Sequence, residues 1–125
     1  MSRCNVTDIL AQGLQKYGEL VVAGNTVESL LKKYSKIESV RVTDVTIEVL
    51  RKAIAACGNI LEANDDEQFF IAVIPTGRMN ATCALVAVVL QNDILYFAAF
   101  AKEGLIKQHL AQTAIDSIKN RLKLH

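Results

Sequence analysis

Residues 83–101, CALVAVVLQNDILYFAAFA, decide the fold, because this long apolar stretch contains a single charged side chain, Asp93. Its two halves are rich in β-branched and aromatic residues, and Gln91-Asn92-Asp93 between them is typical of a tight turn. A single membrane-spanning helix would place Asp93 near the bilayer midplane at a cost of about 3 kcal/mol. The stretch therefore predicts two strands, over about 82–90 and 94–101.

A third apolar run, FFIAVI at 69–74, precedes this hairpin. The loop between them is too short for a parallel crossover, so we predict a three-stranded antiparallel meander whose first strand covers about 68–75. Valines alternate with polar residues between 36 and 43, which is typical of a short edge strand, and ELVVA at 19–23 is compatible with another. The sequence thus leaves open whether one or two short N-terminal strands extend the meander.

Apolar residues elsewhere recur at helical spacing. The clearest case is Ile47, Leu50, Ile54, Cys57 and Leu61, which predicts a helix capped by Thr43 or Asp44, with Gly58 offering an earlier end. The fold class is α+β, a single domain over 1–125, with helices flanking the sheet at about 6–17, 26–35, 44–61 and 104–122.

The predicted hairpin cannot leave either face in water, since neither of its strands carries a charge. Helices of the same chain cover both faces, or a second copy covers one of them. The small side chains of Ala87 and Ala98 would let such a copy approach closely. With Phe100 they form the predicted interface.

The loop before the second predicted strand carries the candidate ligand site. Arg78 could hold a carboxylate or phosphate in its fork, with Thr76, Asn80 and the Gly77 backbone adding hydrogen bonds and Cys83 following. The alternative is an ordinary hairpin loop in which Gly77 adopts a positive φ.

Reactive groups are few. Cys83 as a nucleophile would need His109 or His125 as its base, and a cysteine beginning an apolar strand is more typical of a small buried side chain. His109 and His125 form no HExxH pair and no Cys-His zinc spacing, and Gly-rich nucleotide motifs are absent from the sequence. We predict no metal and no cofactor, and we expect Asp65, Asp66 and Glu67 to form a solvated loop.

The charge balance bears on the partner class. A net charge of +1 lacks the basic excess that would favour nucleic acid or an anionic membrane. The three cysteines form neither a CxxC pair nor a disulfide framework, and the first residues, MSRCNVTD, are too polar for a secretion signal. These features predict a cytoplasmic protein.

The surplus of aliphatic over reactive side chains favours association over catalysis. We predict a small interaction or assembly module whose partner is a second copy, as a dimer, or another protein. The alternative function is a small-molecule (anion) binding or enzymatic domain that uses the 76–83 loop, with Arg78 as the anchor.

Overall fold

The computed structural model describes residues 5–17, 35–75, 83–101 and 110–123. These residues form an α+β fold in which the helices and strands follow one another in this order: α1 (Val6–Tyr17), β1 (Ser35–Arg41), α2 (Ile47–Cys57), β2 (Asn59–Asn64), β3 (Phe69–Pro75), β4 (Cys83–Gln91), β5 (Ile94–Phe100) and α3 (Leu110–Arg121). The predicted helix over 26–35 and strand over 19–23 lie outside the described residues, except that Ser35 belongs to β1 rather than to a helix.

The sheet has five antiparallel strands in the order β1-β5-β4-β3-β2, so the predicted three-stranded meander is wrong. The predicted strands correspond to β3, β4 and β5. Of the two others, β1 lies where the alternation over 36–43 indicated an edge strand. β2 begins within the helix predicted over 44–61 and continues beyond its end, and it extends the meander at the opposite edge.

The β4–β5 hairpin forms as the sequence predicts. Asn92 and Asp93 have φ angles of 52° and 61°, and Gln91 pairs with Ile94 across the turn. Two consecutive positive φ angles in a two-residue loop define a type I′ turn, whose twist matches that of the flanking strands. Asparagine and aspartate tolerate this left-handed conformation better than most residues, which explains their place here.

The helix predicted over 44–61 is shorter at both ends. It begins at Ile47, because the Thr46 hydroxyl accepts a hydrogen bond from the Val49 N–H at 3.2 Å and so caps the first turn. It ends at Cys57, and the Gly58 N–H donates to the Ile54 carbonyl at 3.0 Å. The chain then enters β2 at once.

Both faces of the sheet are covered by the chain's own helices. α1 packs on one face, where Leu10 and Leu14 join a cluster with Leu85 and Phe100. α2 and α3 pack on the other face, around Phe97. Every residue of β4 from Ala84 to Leu90 is buried, so the inference that neither face of the hairpin is wet is confirmed.

A glycine lets α1 lie close to the sheet. A Cβ atom at Gly13 would be 3.2 Å from Ile71 Cγ2 and 3.3 Å from Leu85 Cδ2. The helix therefore sits so near to the strands that even a methyl group at this position would be tightly packed. Within the described residues, no helix is long and apolar enough to cross a membrane.

Candidate association surface

The predicted anion site cannot be placed, since Thr76, Gly77, Arg78 and Asn80 lie outside the described residues. Cys83 is described. It begins β4 opposite Pro75, is half-buried, and burial raises the pKa of its thiol above the usual range. A raised pKa keeps the thiol protonated and therefore weakly nucleophilic near neutral pH. His109 and His125, the candidate bases, are also outside the described residues.

The predicted interface residues lie inside the chain. Ala87, Ala98 and Phe100 are each 0% exposed, and all belong to the cluster that α1 covers. The small side chains that would have admitted a second copy instead lie beneath α1, which Gly13 allows to approach closely. A partner could reach them only after α1 had moved away.

The acidic loop between β2 and β3 forms surface contacts. The guanidinium of Arg51 binds the Asp65 carboxylate at 2.6 Å and lies 5.4 Å from the centre of the Phe70 ring. The Glu67 N–H donates to the Asn64 side chain. No group of three or more potential metal ligands comes together in the part of the chain that the structure describes.

The two edge strands remain as surfaces through which a sheet can associate. An edge strand carries a row of backbone N–H and C=O groups that can pair with another chain. At the β2 edge, the pairing with β3 shifts register between Ile60 and Glu62, which is a β-bulge or similar irregularity. A bulge disrupts the regular ladder and bends the strand, so it hinders the addition of a further strand.

The β1 edge is regular. Its pairing with β5 runs without a shift from Ser35 opposite Phe100 to Arg41 opposite Ile94. Among the described residues, no strand pairs with the outer side of β1. Ile37 is 55% exposed there, and of the described large apolar side chains only Val49, on α2, is also exposed.

One hydrogen bond fixes which backbone groups of β1 point outward. The Val42 N–H donates to the Asp93 carbonyl at 2.8 Å, in the register that continues through β1 and β5. Hydrogen-bonded and non-hydrogen-bonded pairs alternate along antiparallel strands. The even-numbered residues of β1 therefore bond to β5, and the backbone groups of Ile37, Ser39 and Arg41 point away from the sheet.

A cluster of polar side chains joins β1 to α3. The Glu38 carboxylate accepts a hydrogen bond from the Gln112 amide at 3.0 Å and forms an ion pair with Lys119, and both partners lie on α3. These two hydrogen bonds, chiefly the one from Lys119, lower the pKa of Glu38 below its usual range. The strand is thus attached to α3, and its outer backbone pairs with no other strand among the residues that the structure describes.

Sequence reasoning found β1 as a strand but missed it as a candidate surface for association. The signal was present: Ile37 is out of phase with Val40 and Val42, the apolar residues that indicated a strand with one wet face. An isoleucine on the wet side of a predicted edge strand is a candidate contact residue. No protein-family model, curated protein or solved structure gives a significant match to this chain.

Proposed function

We propose that this protein is a small association module that binds another polypeptide as an added strand on the outer edge of β1. The observation that carries the proposal is Ile37, an isoleucine 55% exposed on a regular strand whose outer backbone groups face away from the sheet. Strand addition uses both features, since backbone hydrogen bonds supply affinity and alternate side chains supply specificity.

The arrangement of the helices supports the edge over the faces. α1 covers one face of the sheet, and α2 and α3 cover the other. Most apolar side chains of β3, β4 and β5 are therefore buried beneath these helices and closed to a partner. Of the two edges, β2 carries the irregularity at Ile60 and Glu62, whereas β1 pairs regularly over its whole length.

The cytoplasm is the compartment we propose for this activity. The cysteine pattern supports it, since three cysteines without CxxC spacing are typical of a reducing environment.

The proposal is tested by photo-cross-linking in the native cell. A photoreactive amino acid replaces Ser39, which is exposed and whose backbone groups point away from the sheet. In the matched control, it replaces Asn120, which is exposed on α3. We expect a discrete cross-linked species from position 39, identified by mass spectrometry, and none from position 120. Equal or absent cross-linking at both positions would overturn the proposal.

A further inference from the structure

The geometry of β1 points to a second copy of this chain as its partner, and this inference rests on the proposed function. We propose that the β1 strands of two copies pair antiparallel about a twofold axis, with Ile37 opposite Ile37 of the partner subunit. The two five-stranded sheets then join into one continuous sheet. The backbone directions, the charges and the exposed isoleucine each restrict the register in which this can happen.

The backbone directions remove half of the registers. Only odd-numbered residues of β1 point their N–H and C=O groups outward, so a residue such as Ile37 must face another odd-numbered residue of the second copy. An antiparallel symmetric pair is therefore centred on one residue of β1, which faces its own copy. The centres available in the middle of the strand are Lys36, Ile37, Glu38, Ser39 and Val40.

The charges select among these centres. A centre at Lys36 or at Glu38 places two like charges directly opposite each other, which destabilises a strand pair. A centre at Ser39 places Ile37 opposite Arg41. A centre at Val40 places Glu38 opposite Val42 and leaves Ile37 beyond the end of the other β1. A centre at Ile37 places the two isoleucines together and each Lys36 opposite a Glu38, so it alone joins apolar to apolar and positive to negative.

The same register suits the local geometry. With Ile37 as the centre, its two backbone groups bond to those of its copy, and Lys36 and Glu38 form non-hydrogen-bonded pairs, in which opposing side chains lie closest. Glu38 is already held by Lys119 and Gln112. Because the carboxylate is ordered before association, little conformational entropy is lost when Lys36 of the partner subunit approaches it.

The oligomeric state is measured by analytical ultracentrifugation of the purified chain from micromolar to about millimolar concentration, a range in which weak dimers dissociate. We expect a mass that rises to twice the 13.7 kDa of one chain. Ser39→Pro removes an outward N–H that β5 does not use, and it should yield a folded monomer. Ser39→Thr keeps the N–H and is the matched control, which should still dimerise.

The register is tested at Lys36, which is exposed. Lys36→Glu places a carboxylate opposite Glu38 of the partner subunit and should raise the dissociation constant at least tenfold, whereas Lys36→Arg should leave it within about threefold. Equal effects of the two substitutions would overturn the register.

Two results would overturn the dimer itself. A wild-type chain that stays monomeric across the whole concentration range shows that its partner is not a second copy. In that case, cross-linking of position 39 to another protein would leave the proposed function intact. A dimer that persists in Ser39→Pro uses another surface. Should that variant fail to fold, amide exchange of the wild type decides, since the N–H groups of Ile37 and Ser39 must exchange more slowly as concentration rises.

Discussion

The two edges of the sheet are built differently although both end in a short strand. β2 follows α2 after a single residue, Gly58, and its pairing with β3 shifts register. β1 pairs with β5 in constant register and is attached to α3 through Glu38. β2 is thus held by close backbone packing, and it pairs irregularly with β3. β1 is held by a side chain that contacts α3, and it pairs regularly with β5.

This difference teaches that an edge strand can be stabilised without an irregularity in its backbone pairing. The irregularity and the tight connection at β2 oppose the addition of another strand. The ion pair at β1 uses a side chain that contacts α3, so it stabilises the strand without using the backbone groups on its outer side.

The largest effect on stability is expected at Gly58, where the chain passes from α2 into β2. A Cβ atom there would lie 2.2 Å from the Val73 carbonyl oxygen and 3.0 Å from the Ile74 Cα, and both are backbone atoms of the neighbouring strand. Gly58→Ala must therefore separate α2 and β2 from β3. We expect a loss of about 3 kcal/mol in the free energy of unfolding, measured by urea denaturation.

Gly13→Ala is the matched control, since this glycine also lies close to β3 but its added Cβ would meet only side-chain atoms, at 3.2 Å and beyond. Those atoms can shift, and alanine is favoured over glycine in a helix by about 1 kcal/mol. The control should change stability by less than about 1 kcal/mol. If the two variants were equally stable, close backbone packing would not be what fixes the β2 edge.

An intermediate effect is expected at the β1 edge when Glu38 is changed to Gln. The side chains of Glu38 and Lys119 are only 23% and 18% exposed, so the substitution leaves a partly buried ammonium group without its counter-charge. We expect a loss of about 1–2 kcal/mol near neutral pH, measured by urea denaturation at a concentration where the chain is monomeric.

The same pair makes stability depend on pH. Because folding lowers the pKa of Glu38, the folded chain holds the carboxylate ionised more strongly than the unfolded chain does. Its contribution is complete above the ordinary pKa and is lost as pH falls through the lowered one. The difference between wild type and Glu38→Gln should therefore shrink below about pH 4. Glu48→Gln, at a 69% exposed carboxylate, is the control and should show little difference at any pH.

What the sequence could predict follows from how local each signal is. The β4–β5 hairpin was predictable because its strands are uniformly apolar and its turn uses Asn92 and Asp93, which tolerate positive φ. β2 was not, because Leu61 continues the helical spacing of Leu50 and Ile54. The close approach of Gly58 to Val73, which marks the change from helix to strand, is a contact between segments distant in sequence.

The candidate surface shows the same limit. The sequence indicated that the hairpin must be covered on both faces but could not say by what. Ala87 and Ala98 were assigned to a second copy, and they lie under α1. Periodicity shows which residues of a strand are buried, whereas the identity of the covering element depends on where a distant helix packs. Ile37 became a candidate only when its exposure was known.

The smallest effect is expected at an ion pair that joins the β2 edge to α1. The Lys16 ammonium on α1 contacts the Glu62 carboxylate on β2 at 3.1 Å. The two side chains are 56% and 30% exposed, so solvent screens the pair and Lys16→Gln should lower the free energy of unfolding by about 0.5 kcal/mol or less. Salt at about 1 M screens such charges further, so the loss in the free energy of unfolding should vanish at that concentration. Lys52→Gln, at an exposed lysine of α2, is the control for removing a surface charge. A loss as large as that of Glu38→Gln would contradict the comparison, since it would mean that ion pairs fix both edges equally.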